Sequence, residues 1–405
     1  MNRINEMIRL QEYKNVKRVK LKDCCSAIFS GGTPLTSKEQ FYDGNIPWIR
    51  SGEIDFNRIF RSERNISQEG LENSSAKLIR PKSVVMAMTG ATVAKVATIE
   101  AEMAANQSVC ALELNCLLDY RFLYFYLATK YLQLRNSAQG ALTSLNLERI
   151  KNIEIPLPPL NIQKEIVSIL DSFTSLIDKM KQEVEMRKKQ MVYYIDKFYG
   201  GDFDGMMRLA DIPGNSVAQF SDLGPIIRGK RFVRDDIRTV GQPCIHYGDM
   251  YTYYGTMAVT AKTFLERDFP KKMRYAHKGD VVIVGAGEND YDIGVGLVWM
   301  GEEPAAVHDA CYILKHHQIP MYISYYLRSN IYHQQLKKYV SSGKISSFSA
   351  EGLGKVYIPI QPEDKQRQIA SILDTFETYI SKLEKMIELR QKQYEYYREK
   401  LLKFE

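Results

Sequence analysis

Two stretches of the chain carry the same hydrophobic repeat, in steps of four and three, in the same register. In residues 156–199, Leu170, Ile177, Val184, Met191 and Phe198 recur every seven positions, interleaved with Ile166, Phe173, Met180, Arg187 and Tyr194. In residues 359–402 the series is Leu373, Ile380, Ile387, Tyr394 and Leu401, with Ile369, Phe376, Leu383, Arg390 and Tyr397 between them. Held over several heptads, this period predicts a coiled-coil seam on a long helix. The stretches align without a gap and share SILD and RxKQxxYY, so the chain contains a large internal duplication. Each helix is the natural partner of the other, as an antiparallel pair roughly 50 to 60 Å long at about 1.5 Å per residue. Pro156, Pro158, Pro159, Pro359 and Pro362 end the preceding segments, and Asn161 and Asp364 are expected to cap the helices.

Two features exceed the seam. Arg187 and Arg390 occupy seam positions, where a cation either fixes register against a carboxylate or extends its head to water. On the outer face the copies are identical at Ser168/Ser371, Asp171/Asp374, Lys179/Lys382, Glu185/Glu388, Lys189/Lys392 and Tyr193/Tyr396. A solvated face drifts freely after duplication, so these identities suggest a face that docks the same partner twice. The candidate docking residues are Asp171, Lys179, Lys189, Tyr193, Asp374, Lys382, Lys392 and Tyr396.

Between the helices lie two globular blocks. The first, about 16–155, has short apolar and β-branched runs (IPWIRSGEI, SVVMAM, KVATIE, SVCALEL) broken by SGGTP, DGN and TGAT, with one helix over 119–138. The second, about 205–357, repeats the layout. PWIRSGEI answers to PCIHYGDM, KSVVMAMTGAT to GDVVIVGAGEN, FLYFYLAT to YISYYLRS, and QGALTSLNLERI to SGKISSFSAEGL. The predicted fold is α+β: two α/β globules alternating with two long helices that pair as an antiparallel coiled coil, with pseudo-two-fold symmetry. The expected divisions are 1–155, 156–203, 204–358 and 359–405.

Composition adds bounds. The 405 residues carry a net charge of +7, which permits a polyanionic partner. No run of apolar residues reaches the length of a membrane span and the start lacks a signal-peptide core, so a cytoplasmic protein is expected. The six cysteines lack CxxC spacing and the six histidines are scattered, so no metal site is expected. Small and basic residues share the turns of both globules, a composition that lets loops approach a duplex, with cations on phosphates and base edges. The candidate DNA-contacting residues are Ser30, Gly31, Thr33, Arg50, Ser51, Arg58, Thr92 and Lys95 in the first globule. In the second they are Arg228, Lys230, Arg231, Arg234, His246, Tyr247, Asn289 and Lys344.

A search for catalysis finds only fragments. GPIIRGKR nearly matches a phosphate-binding loop, but Arg231 stands where the hydroxyl is required. SSGK lacks the companion motifs of an SxxK enzyme, and PEDK sits at a helix start. The chain reads as non-catalytic. An enzyme with an unrecognised nuclease or methyltransferase site, and a coiled-coil scaffold without DNA specificity, remain the alternatives.

Two divergent globules, each followed by a similar helix opening on PLPPLNIQKEIVSILDSF or PIQPEDKQRQIASILDTF, resemble the specificity subunit of bacterial type I restriction-modification systems. GNIPWIRSGEI, GATVAK and ANQSVCAL are also similar to that family's first target-recognition domain, whereas the second globule has HDACYIL at the last of these places. The resemblance implies sequence-specific recognition of double-stranded DNA without chemistry. It also implies two docked methylation subunits bringing S-adenosylmethionine, and restriction subunits, joined through them, that use ATP and magnesium. No cofactor is expected in this chain.

Overall fold

The computed structural model describes residues 16–138, 144–269, 272–287, 293–341, 343 and 345–404, with Tyr251 as backbone only. It forms two compact units, one built from the chain up to Met180 together with Met386 onward, the other from Lys181–Lys385.

In the first unit a five-stranded sheet has the order Cys25–Ser30, Val109–Leu114, Ser83–Ala87, Val96–Ile99, Arg58–Ile59. A four-stranded sheet has the order Arg64–Ile66, Ile46–Ile49, Met103–Ala105, Leu78–Ile79. Ser83–Ala87 is buried along its whole length because both its faces are covered. With the period of two that a strand imposes, Val84 and Met86 pack under the helix Tyr120–Thr129, while Val85 and Ala87 meet Ile49, Met103 and Ala105 of the other sheet.

The second unit repeats this order strand for strand. Its five-stranded sheet runs Ile226–Arg228, Cys311–Leu314, Val281–Val284, Gly296–Trp299, Met257–Ala258. Its four-stranded sheet runs Thr263–Leu265, Gln242–Ile245, Ala305–Val307, Tyr275–Ala276. Val281 and Ile283 face the helix Pro320–Tyr326, and Val282 and Val284 face the second sheet. The parallel pairing of Trp48 with Ala104 returns as Cys244 with Ala306. The segment matches drawn from the sequence therefore hold at PWIR/PCIH, KSVVMAM/GDVVIVG and FLYFYLAT/YISYYLRS. Of the fourth, 139–143, 342 and 344 lie outside the described residues. The single helix expected over 119–138 is two, Tyr120–Thr129 and Tyr131–Ser137, with Lys130 between them at φ −89° and ψ 0°.

The long helices span Leu160–Phe198 and Glu363–Leu402. Their starts correct the capping expectation: Asn161 and Asp364 lie inside the first turn, and prolines precede the helices. The Pro159 carbonyl accepts from Gln163 N at 3.1 Å, and the Pro362 carbonyl from Gln366 N at 3.0 Å. A proline lacks only the N–H that this position does not use. The heptad positions form the seam as expected, with Leu170, Ile177, Val184, Leu373, Ile380 and Leu401 buried. Within the second unit, Lys188 pairs with Glu384 and Tyr194 packs on Phe376 at 5.5 Å, which makes the helix segments antiparallel. Within the first unit the equivalent pair, Phe173 and Tyr397, stacks at 5.7 Å. The seam arginines bond within their own helices, Arg187 to Glu183 and Gln190, Arg390 to Gln393. Arg187 also lies 5.6 Å from the Tyr379 ring.

Each globule meets the start of its following helix through a buried glutamine, Gln163 or Gln366. Gln163 Oε1 accepts from Asp119 N at 2.8 Å, and its Nε2 donates to the Leu117 and Pro158 carbonyls. Gln366 Oε1 accepts from Ile319 N at 3.1 Å, and its Nε2 donates to the Gln361 carbonyl and to Gln318 Oε1. This is the physical reason that the matching stretches QKEIVSILD (163–171) and QRQIASILD (366–374) both open on glutamine.

Candidate nucleic-acid interface

In the first globule the turn after the strand Cys25–Ser30 is pulled against two other loops. Gly31 N donates to the Val109 carbonyl, Gly32 N to that of Ala105, and Asn106 N to that of Ile49. In the second globule Gly229 N donates to Cys311, Lys230 N to Val307, and His308 N to Ile245. These matched bonds make Gly31 equivalent to Gly229, Arg50 to His246 and Asn106 to His308. Both glycines are required by contact: a Cβ would come 2.1 Å from the Ala105 oxygen at Gly31 and 2.1 Å from the His308 oxygen at Gly229.

On this common frame the side chains differ. In the first globule Thr33 bonds Gln107, and Arg50 is held by Glu63 through Nη2 at 2.5 Å while its backbone N–H donates to Glu53. Lys95, beside Thr92 in the next turn, pairs with Asp55 at 2.6 Å. Ser30, Gly31, Thr33, Arg50, Ser51, Thr92 and Lys95 thus belong to one end of the globule. Arg58 does not join them. It pairs with Glu100, at the far end of the strand that follows Lys95, apart from the residues gathered at these loops. Burial works against the Glu100 carboxylate, but bonds from Arg58 and Thr98 outweigh it and leave its pKa lowered.

In the second globule Arg228 Nε donates to the Asp309 carbonyl at 2.8 Å, whereas Lys230, Arg231 and Arg234 are exposed and have no carboxylate partner among the described residues. Arg231 and Arg234 lie close to a ring cluster. His246 lies 4.5 Å from Tyr247 and 4.8 Å from His308, and the buried Phe232 lies 5.0 Å from His308. Burial lowers the pKa of His246 and of His308. Arg234 adds to this at His246, and His246 and Arg231 add to it at His308, against the opposing carboxylates Asp249 and Asp309. His308 is a member of the cluster that the sequence reading missed, and only its place in HDACYIL, opposite NQS, could have signalled it. Asn289 and Lys344 lie outside the described residues.

The outer-face identities divide in two. Asp171 accepts an ion-paired hydrogen bond from the buried Arg121, whose guanidinium stacks 4.8 Å from Phe125. Asp374 accepts from the hydroxyl of Tyr325 at 2.7 Å. The same carboxylate anchors each globule helix through different donors, an internal reason for both aspartates. Burial is the largest of the effects that push the Tyr325 hydroxyl far above the ordinary tyrosine range, followed by its bond to Asp374. Lys179, Lys189, Tyr193, Lys382, Lys392 and Tyr396 are exposed. Tyr193 has Lys197 at 5.8 Å and Tyr396 has Lys400 at 5.9 Å, one arrangement made twice.

The sequence profile described as the type I restriction modification DNA specificity domain matches twice, over residues 13–186 and 214–391. The chain belongs to this family. A putative type I restriction enzyme specificity subunit of Haemophilus influenzae is 30% identical over 313 residues, 71% of this chain and 73% of that protein. The EcoR124I/EcoR124II specificity subunit of Escherichia coli is 29% identical over 182 residues, 42% of this chain and 45% of that one. A solved S subunit from M. genitalium aligns over 96% of this chain and 97% of its own, with a TM-score of 0.56 at 14% identity. A chain from a study of type I complex assembly and conformational transition aligns with a TM-score of 0.57 at 17% identity, over 95% and 96%. At these identities the structures speak for the fold alone. As a specificity subunit the chain serves DNA recognition and is not itself an enzyme. Among the described residues no helix is long and apolar enough to cross a membrane.

Proposed function

We propose that this specificity subunit reads a bipartite, asymmetric target in double-stranded DNA, one half with each globule, and docks two methylation subunits on the outer faces of its repeat helices. Restriction subunits join through the methylation subunits, which supply the S-adenosylmethionine site, and ATP and magnesium act on the restriction subunits. The complex works in the cytoplasm. The parts 1–155 and 204–358 are the target-recognition domains, and 156–203 and 359–405 the repeat regions. The observation that supports this best is the loop frame built twice from the same backbone bonds and filled with different side chains. One frame with two sets of side chains suits two unlike half-sites.

Mapping methylated positions in the genome of cells that express the chain with its methylation partner tests the reading. Two specified half-sites separated by unspecified bases are expected, and one continuous short motif would refute it.

Docking has its own measurement. The exposed Lys189 and Tyr193 on one helix, and Lys392 and Tyr396 on the other, are expected to carry one methylation subunit each. Lys189→Ala with Tyr193→Ala should remove one of two copies, and adding Lys392→Ala with Tyr396→Ala should remove both. A complex that keeps two copies in native mass spectrometry with all four changes excludes this face.

A further inference from the structure

The ring cluster of the second globule goes further than a basic surface. Arg50 and His246 occupy the same place in the two frames, directly after the central strand of the four-stranded sheet, but they are held by different means. Arg50 is gripped by carboxylates, through its backbone to Glu53 and through its guanidinium to Glu63. In the second globule Asp249, which occupies the place of Glu53, is taken by Lys262 at 2.9 Å and by Thr263. What holds His246 instead is the ring contact with Tyr247 and His308. His308 is fixed from below, edge-on against the buried Phe232, and its Nδ1 accepts from Ala310 N at 3.1 Å. Asn106 makes the same bond in the first globule, its Oδ1 accepting from Ser108 N at 3.2 Å. The residue at 106 or 308 therefore serves the loop in both frames, and the residue at 50 or 246 is the one presented.

The chemistry that His246 presents follows from its own bond. Nδ1 accepts from Gly248 N at 3.2 Å, so in the neutral ring the proton sits on Nε2. Nε2–H is a single donor, with the exposed Tyr247 beside it and the exposed Arg231 and Arg234 nearby for the phosphates. In the major groove a donor finds acceptors on guanine, on adenine N7 and on thymine O4, whereas the cytosine edge offers its own donor.

We propose that His246 is a base-reading residue of the second globule, its Nε2–H directed to a base with a major-groove acceptor, and that His308 is its positioning residue. The inference rests on the reading of this globule as a DNA-recognition domain. It is tested by mapping the methylated motif for the full chain with its methylation partner, as wild type and as His246→Phe, His246→Gln, His308→Phe and His308→Asn. His246→Phe keeps a ring in the cluster and removes the donor. It should relax one position of one half-site, bringing sites with the wrong base about 2- to 13-fold closer to cognate. The other half-site should not change. His246→Gln, which keeps an N–H, should retain the motif. His308→Phe should relax the same position, while His308→Asn, which restores an acceptor for Ala310 N–H, should not.

A wild type that yields no half-sites defeats the underlying reading. A wild-type bipartite motif that His246→Phe leaves intact defeats this inference alone. If His246→Phe abolishes methylation, gel shifts of the purified complex on duplexes substituted singly at each half-site position decide. Weakening confined to one position supports the proposal, and equal weakening on every duplex overturns it, because a phosphate contact or a misfolded loop acts without regard to sequence.

Discussion

Replacing Gln366 by Leu is expected to cost the second unit about 2 to 5 kcal/mol. Leucine fills nearly the same volume but strands the Ile319 N–H and the Gln361 carbonyl, which Gln366 satisfies in a site only 2% exposed. Each buried polar group left without a partner costs about 1 to 3 kcal/mol. Gln163→Leu should do the same in the first unit, where the Asp119 N–H and the Leu117 and Pro158 carbonyls are stranded. The two tryptophans make the effects separable. Trp48 is buried in the first unit and Trp299 in the second, so a Trp48→Phe background reports the second unit and Trp299→Phe the first. In urea melts followed by fluorescence, Gln366→Leu should lower the midpoint seen by Trp299 more than the one seen by Trp48, and Gln163→Leu the reverse. A loss below about 1 kcal/mol at either site would mean that water replaces the amide and that the glutamine is no clamp.

The glutamines also show what could be read from sequence and what could not. The seam was legible because a heptad pattern depends only on spacing along one helix, and Leu170, Ile177, Leu373 and Ile380 are buried as that spacing requires. The strand order of the globules was not written in that way, yet its duplication was visible, because Val84/Met86 and Val281/Ile283 hold matching places within similar turns. Contacts between distant segments left no local sign. Asp171 and Asp374 looked like a shared docking surface, but their donors, Arg121 and Tyr325, lie far back in the chain and differ in type. Identity at one end of a contact with divergence at the other is what an internal anchor leaves after duplication. The separation of Arg58 from the other loop residues was hidden for a related reason: a cation in a polar stretch reads as a loop residue, whereas its strand pairing aims it at Glu100. The ring cluster escaped notice because Phe232, His246 and His308 come together only when three loops fold onto one frame.

Acid should separate the two units. All six histidines, His246, His277, His308, His316, His317 and His333, lie in the second unit. Burial holds His246, His308, His316 and His333 below the ordinary histidine pKa in the folded state. The unfolded chain, with histidines near 6.5, then binds protons before the folded one does, so stability falls as pH drops through about 6.5 and continues to fall until the folded values are passed. Each such histidine contributes a slope of at most about 1.4 kcal/mol per pH unit. Among the described residues of the first unit the carboxylate with a lowered pKa is Glu100. Its contribution is complete above the unfolded carboxylate value and is lost only as pH falls further, through the folded value. Between pH 7.5 and 5.5 the urea midpoint reported by Trp299 should therefore drop while that reported by Trp48 holds. Replacing His316 and His333 with Gln should flatten the Trp299 profile without changing the Trp48 profile. Equal acid sensitivity of the two tryptophans, or a Trp299 midpoint that is level down to pH 5, would show that the buried imidazoles exchange protons as freely folded as unfolded.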